Sequence, residues 1–276
     1  MNASNKAGTI VPAEAPVSQA VANPVLAIRR GRGRLGGSLF LDLLIQRARH
    51  SGRRVKPLDG DLRSRTLATL YPAMDGKSQP IQDGASSPVS EELPDMKSWM
   101  LDQLDDMAES RVSRALDLGG GERVIPEFVR DLSLTTYCCD LGITLLSIYM
   151  LGPDMEDFRH VTELVRSGDM QAERTLLVLN EGVIRQGQTV TGAFDTIMEH
   201  PDMRALMKDG AAPVFLKRLS CMPLARESGR GFYDMADGKP DAKGVKPRPT
   251  MQHMVKTWLQ ENEAEHAVAG TTEWLP

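Results

Sequence analysis

Long apolar runs are the first thing this chain of 276 residues lacks. No stretch approaches the ~20 consecutive apolar residues of a membrane span, and the amino terminus carries no basic-then-apolar leader pattern, so a cytoplasmic protein is expected. Cysteine is scarce: Cys138 and Cys139 are adjacent and Cys221 stands alone, which excludes a disulfide scaffold and a CxxC zinc site. An odd count suits a reducing compartment, where thiols serve as small core hydrophobes. The histidines (His50, His160, His200, His253, His266) share no metal-ligating spacing. A GxSxG elbow, a Cys/His nucleophile pair, a helix-turn-helix, a zinc finger, an aromatic-interleaved RNA-binding pattern and an internal repeat are missing too.

What is present is an ordinary globular balance, 41% hydrophobic and 25% charged, with an uneven distribution of charge. The chain as a whole is −4, yet residues 25–65 hold eleven Lys/Arg against three acids and stand at +8. Residues 1–24 are neutral, which leaves the remainder at −12. Such asymmetry suggests a local anion site or a nucleic-acid face. Any DNA contact through this region would be to phosphates, hence independent of sequence and sensitive to salt. A solvated arginine-rich helix surface explains Arg47 and Arg49 well, but explains the arginines set among glycines poorly.

Residues 1–23 read as a flexible tail. From Val25, short apolar runs alternate with amphipathic stretches: strands are expected at 25–30, 53–59, 114–118, 143–151, 174–180 and 213–219, and helices at 37–50, 93–107, 124–139, 155–165, 193–208 and 250–266. Strand–helix alternation implies a doubly wound, mostly parallel α/β sheet of roughly six to eight strands. Residues 73–91 look like a loop or lid. The expected domains are 24–233, then a linker at 234–249 and a C-terminal helix and tail at 250–276. The acidic end of that helix (Glu261, Glu263, Glu265) argues for docking on protein rather than on anionic lipid.

The sharpest local feature is Gly31-Arg32-Gly33-Arg34-Leu35-Gly36-Gly37-Ser38, which follows the first strand and opens the first helix. Glycines let the backbone approach a ligand, and a helix N-terminus offers free N–H groups, so strand, glycine turn and helix make a phosphate cradle. Two templates fit. Gly31, Gly36 and Ser38 match a P-loop that has Gly37 at the lysine position, while Gly31, Gly33 and Gly36 match the dinucleotide fingerprint, with Asp59 or Asp61 as its acid. Arg29 and Arg30 are unusual just before this turn, because a buried central strand should be apolar there. The third strand ends in Asp117, followed by Gly119, Gly120 and Gly121, and the second in Asp59 and Asp61. Carboxylates at neighbouring strand ends are expensive to bury alone. A magnesium–phosphate centre, with Asp117 acting through water and Ser38 as a direct ligand, gives them a reason and favours the P-loop template. Asn180, at the end of the fifth strand, has a donor and an acceptor for a base edge, and equally suits a strand-end cap. Asp154 reads as a helix N-cap.

On these residues the sequence resembles the ParA/MinD group of deviant P-loop ATPases, including relatives that plasmids carry for partition, stability and conjugation. The likeness runs from about Val25 to Tyr233. It includes the GRGRLGGS loop, the GRRVKPLDGD second strand, the RALDLGGG Walker-B-like strand and Asn180. The resemblance implies a P-loop NTPase-like fold with an appended C-terminal helix. It implies a nucleotide switch binding ATP and Mg2+, with Gly31 to Ser38 around the phosphates, Ser38 and Asp117 at the metal and Asn180 at the adenine. It further implies a face-to-face homodimer, a protein partner and Asp59 positioning the attacking water. The family's signature lysine falls on Arg32 and its Walker lysine on Gly37. Loss of that lysine should slow phosphoryl transfer severely, so the resemblance leaves ATPase turnover weak or absent. Arg32 or Arg34 are the compensating cations to test. A pseudo-ATPase adaptor that binds protein or DNA without turnover, and a dinucleotide-dependent oxidoreductase, are the alternatives.

Overall fold

The computed structural model describes residues 23–119, 124–185, 187 and 189–276; most of the expected N-terminal tail, together with Gly120 and Gly121, lies outside them. Six strands form one sheet: β1 Val25–Arg30, β2 Val55–Asp59, β3 Ser113–Asp117, β4 Thr144–Leu151, β5 Arg174–Asn180 and β6 Ala211–Leu216. Every pairing is parallel, in the order β2-β3-β1-β4-β5-β6. Parallel strands need crossovers, and the crossovers place helices on both faces.

One face carries α1 (Gly37–His50), α9 (Met222–Glu227), α10 (Phe232–Ala236) and α11 (Pro249–Val268). Phe40, Leu41, Leu44, Phe232 and Trp258 share a core there with Ala27, Ile148 and Val178 of the sheet. The other face is covered by α3 (Leu93–Ser110), α4 (Val124–Asp131) and α5 (Leu134–Asp140) over β1 to β3. Beside them α6 (Met155–Ser167), α7 (Asp195–Met198) and α8 (Pro201–Lys208) cover β4 and β5. The architecture is therefore the expected doubly wound α/β sheet with a C-terminal helix docked on it. Val255 and Trp258 of α11 are buried, and Trp258 Nε1 donates to Lys217 O at 2.6 Å. Among the described residues, no helix is long and apolar enough to cross a membrane.

Several boundaries differ from the periodic reading, each for a local reason. The stretch 124–139 is two helices, because Ser133 adopts an extended ψ of 90° between them. The stretch 193–208 also divides, at His200: Pro201 occupies the first helical turn and disfavours helical backbone in the residue before it, and the His200 side chain accepts from Asp202 N. Strand β6 ends early, at Leu216, where the chain turns toward α11 and Lys217 N donates to Asn262 Oδ1 at 3.1 Å. A short helix, α2 (Thr66–Leu70), had no periodic signal. The 73–91 segment is irregular, as the loop reading expected. It runs along the outer edge of β2, where Ser86 exchanges backbone hydrogen bonds with Pro57 and Asp59 and so covers an otherwise open edge.

Candidate nucleotide-phosphate site

The turn from β1 into α1 is shaped by its backbone. Gly31, Arg34 and Gly36 have positive φ values of 100°, 66° and 84°. At Gly36 a side chain would also collide with the Asn180 amide. No side chain caps α1, and its first turn contains no acid. The positive end of a 14-residue helix therefore faces the loop with no acid or side-chain cap of its own to answer it.

Register then lines up three charges. Asp59, Asp117 and Arg29 occupy one row across β2, β3 and β1, and the row continues as Ile148 on β4, Leu176 on β5 and Ala212 on β6. All three charged residues are at most 3% exposed. Ser38 Oγ donates to Asp117 Oδ2 at 2.5 Å, and Gly119 N donates to Asp117 Oδ1 at 3.0 Å. The Arg29 guanidinium stands 3.7 Å from Asp117 Oδ1, donates through Nη1 to Gly119 O, and reaches Arg32 O through Nη2 at 3.2 Å. Asp59 accepts from Ala68 N at 2.8 Å and Asp61 N at 3.2 Å. Burial raises its pKa above the ordinary carboxylate value, and the neighbouring Asp117 and Asp61 push the same way. Asp61 accepts from Arg63 N and Ser64 N, and its carboxylate packs against Gly119 at the end of β3.

The sequence-predicted residues are thus brought together in part. Gly31, Gly36, Gly37, Ser38, Asp117 and Asp59 converge on one end of β1–β3. Arg32 does not line the loop interior: its Nη1 pairs with Glu156 at 3.5 Å and Asp157 at 3.4 Å, in the first turn of α6. Gly33 and Arg34 are exposed. Arg34 and Leu35 border a cleft of about 850 Å³ whose far wall is Gly152, Asp154, Val183 and Thr191. Asn180 stands between loop and cleft, with Nδ2 donating to Leu35 O and Oδ1 accepting from Gly182 N, both at 2.8 Å. Both halves of its amide are committed to backbone, so contact with a base would exchange one of these bonds. Asp154 caps α6 as expected, accepting from Glu156 N at 2.9 Å.

Topology tells against the dinucleotide alternative. In that fingerprint the ribose acid ends the strand beside the glycine-loop strand; here β3 lies between β1 and β2, so Asp59 is one strand too far. A magnesium ion is better served, since it takes one or two carboxylates or hydroxyls and otherwise keeps phosphate oxygens and water. The Ser38–Asp117 pair offers that donor set, and among the described residues no cluster of three or more His, Cys, Asp or Glu offers an all-protein cage.

The basic 25–65 segment is less of a free face than its charge suggests. Arg47 pairs with Glu263 at 2.7 Å, Arg54 with Asp83 at 2.8 Å, Lys56 with Asp106 at 2.8 Å and Arg63 with Glu91 at 3.2 Å. The partners all come from the acidic remainder of the chain. Periodicity did not reveal what Arg29 does; the signal available was a charged residue in a strand whose pattern is otherwise apolar.

No protein-family model matches the chain, and no curated protein matches its sequence. Among solved structures it is similar to the MinC:MinD cell division protein complex of Aquifex aeolicus, at 12% identity over 86% of this chain and 96% of that chain, with a TM-score of 0.49. It is also similar to the septum site-determining protein MinD complexed with Mg-ADP from Pyrococcus horikoshii OT3 (13% identity, 90% of this chain and 98% of that one, TM-score 0.44). A third similarity is to a nucleotide-binding protein in complex with ADP from Archaeoglobus fulgidus (13% identity, 75% and 87% covered, TM-score 0.42).

Proposed function

We propose that this chain is a nucleotide-binding switch protein that holds the phosphates of ATP in the Gly31–Ser38 turn. The observation that carries the reading is the conjunction at the end of β1. An uncapped helix start follows a positive-φ glycine, and Ser38 Oγ lies 2.5 Å from Asp117 Oδ2 on the neighbouring strand. In this reading backbone N–H groups at the start of α1 bind phosphate oxygens, and the hydroxyl and carboxylate attend a magnesium ion. Magnesium, when bound, supplies charge neutralisation across the phosphates. The chain's own part is to orient them and to keep Ser38 and Asp117 in place through β3. Asp59, buried and one strand further out, is the acid that would orient an attacking water. Arg32 is the cation that a second copy would meet if two copies face each other, after release from Glu156 and Asp157. The open cleft next to Arg34 and Leu35 has room for a base and sugar. A role in plasmid partition, stability or conjugative transfer, with a protein partner and sequence-independent DNA contact, follows from the motif resemblance and extends this reading.

Calorimetric titration with ATP, ADP and NADH, each with and without magnesium, tests it. Magnesium-dependent binding of ATP and ADP is the expected result; absence of binding by both would sink the reading. A second reading, an adaptor that keeps the fold without turnover, is favoured by one observation: position 37 has no lysine to act on a transferring phosphoryl group. ATP binding without measurable phosphate release would select a non-hydrolysing form.

A further inference from the structure

Gly37 is where a phosphate loop of this spacing places its lysine, and the structure shows what occupies that lysine's space. A β-carbon added at Gly37 would fall on Arg29 Nε and within 2.8 Å of Arg29 Cζ. Gly37 is the first residue of α1 and is not in the left-handed region, so its backbone does not require glycine. What excludes a side chain is the arginine from the strand beneath.

Arg29 is an unusual group to find there. It is 3% exposed, on a central strand flanked by β3 and β4. Its Nη1 and Nη2 are tied to Gly119 O at the end of β3 and to Arg32 O in the loop, which fixes the guanidinium at the loop's inner side. Its Nε is buried without a hydrogen-bond partner. A buried donor left unmade is costly and calls for an explanation, which a bound phosphate oxygen would supply here. The other candidate cations are directed elsewhere: Arg32 to the acids of α6, and Arg34 to the solvent-exposed rim of the cleft.

We propose that Arg29 supplies the phosphate-binding cation of this loop, delivered from strand β1 rather than from helix α1, and that Gly37 is glycine to make room for it. The inference rests on reading the turn as a phosphate site. Arginine suits the task because its planar fork can bind two phosphate oxygens at once while keeping a backbone anchor. The exchange also moves the charge. A lysine on α1 would reach over the loop from the helix, whereas Arg29 comes from the floor of the site, 3.7 Å from the carboxylate expected to attend magnesium.

The test is a four-protein cycle: the unmodified chain, Arg29→Met, Gly37→Lys, and the double variant Arg29→Met/Gly37→Lys. Each is titrated with ATP and ADP in the presence of magnesium, with thermal melting followed by circular dichroism. Arg29→Met should weaken binding by about ten- to a hundredfold, the worth of a charge-assisted hydrogen bond. Gly37→Lys alone should lose binding or lower the melting temperature, because the new side chain meets Arg29. The double variant should recover affinity toward that of the unmodified chain, since methionine is unbranched and yields space to the lysine. Unchanged affinity in Arg29→Met overturns the proposal, and so does a folded double variant that fails to recover. If Arg29→Met does not fold, Arg29→Lys takes its place, and undiminished binding together with a freely tolerated Gly37→Lys overturns the assignment. Failure of the unmodified chain to bind either nucleotide is a different outcome, which removes the phosphate-site reading itself.

Discussion

Two clusters of buried charge lie on the α1 side of the sheet, and they are built on opposite principles. On α1, Asp42 is 1% exposed and fully answered. Gln46 Nε2 donates to it at 2.8 Å, Tyr71 Oη at 2.5 Å and Arg226 Nη1 at 2.7 Å, so both carboxylate oxygens have partners. At the end of β1–β3, Arg29 keeps a buried Nε with no partner, and Asp59 is held above its ordinary pKa by burial beside another acid. Two charges at the same depth thus differ in satisfaction. The first cluster ties α1 to α2's C-terminal flank and α9 and asks for nothing more. In the second, Asp59 and Asp117 also accept at both oxygens, and what is left over is the Arg29 Nε donor, a group that a phosphate oxygen would answer.

The largest expected effect breaks this contrast on the satisfied side. Asp42→Ala leaves three donors without their acceptor and should cost about 3 kcal/mol. That is the low end for breaking a buried ion pair, because Arg226 keeps some access to water. Chemical unfolding would read the loss. Nucleotide affinity, measured well below the unfolding midpoint, should stay as it was; a parallel loss of affinity would mean that the two clusters act as one.

A pH experiment sharpens the same side of the comparison. His266 on α11 is buried, with Nδ1 2.9 Å from Thr271 Oγ1 and its ring 6.2 Å from that of Phe40 on α1. Burial, with the nearby Arg47 cation, lowers its pKa to about 4, against the pull of Glu263 and Glu265. A base with a depressed folded pKa stays neutral in the folded state while the unfolded chain takes up its proton. Its contribution to stability is therefore complete above the ordinary histidine value of about 6.5 and is lost as pH falls toward 4. Between pH 7 and pH 5 the loss should be about 2 kcal/mol, at ~1.4 kcal/mol per pKa unit. His266→Gln should remove most of that slope. Urea midpoints of both proteins at the two pH values decide it, and equal slopes would place the proton elsewhere.

How much of this was legible in the sequence follows the same division. The strands of β1, β4 and β5 were readable because each is an apolar run buried on both faces, and the helix of α1 because its apolar period is clean. Asp117 and Ser38 were recognisable as partners, since an acid ending a strand and a hydroxyl ending a glycine turn have few other reasons to be there. The contact between Arg29 and Gly37 was not legible as a contact. It depends on parallel register and on a side chain folding back over the next element, and residue spacing carries neither. The anomaly was visible all the same, as two arginines where a central strand should be apolar. The engagement of Asn180 with Leu35 was hidden for a similar reason, because it joins residues 145 positions apart.

Asn180 gives the next prediction, with a smaller effect on stability. Its amide joins the glycine turn to the end of β5, and Gly36 packs directly against it. Asn180→Ala should cost about 1–2 kcal/mol, since Leu35 O and Gly182 N each lose a buried partner. It should also loosen the turn, so that affinity for pyrophosphate and for ATP falls by the same factor. A loss confined to ATP would instead assign the side chain to the base.

The smallest effect is expected on the exposed part of the basic segment, and it tests the contrast from outside. Arg63 is 84% exposed in its pair with Glu91, at 3.2 Å. Such a pair gains little in water and is screened by salt, so Arg63→Ala should change stability by no more than about 0.5 kcal/mol. It should leave nucleotide affinity unchanged, whereas Arg29, of like formal charge in the same +8 segment, should not. The two arginines differ in surroundings rather than in chemistry: one is solvated beside a half-exposed carboxylate partner, the other is fixed between two backbone carbonyls with a donor to spare. Should Arg63→Ala weaken nucleotide binding as far as Arg29→Met, the summed field of the segment would be acting on the ligand. A steep dependence on ionic strength, shared by both variants, would then accompany the loss. If only the buried arginine matters, affinity in the unmodified chain should fall little between low and moderate salt, because an ion pair closed off from water is screened far less than one at the surface.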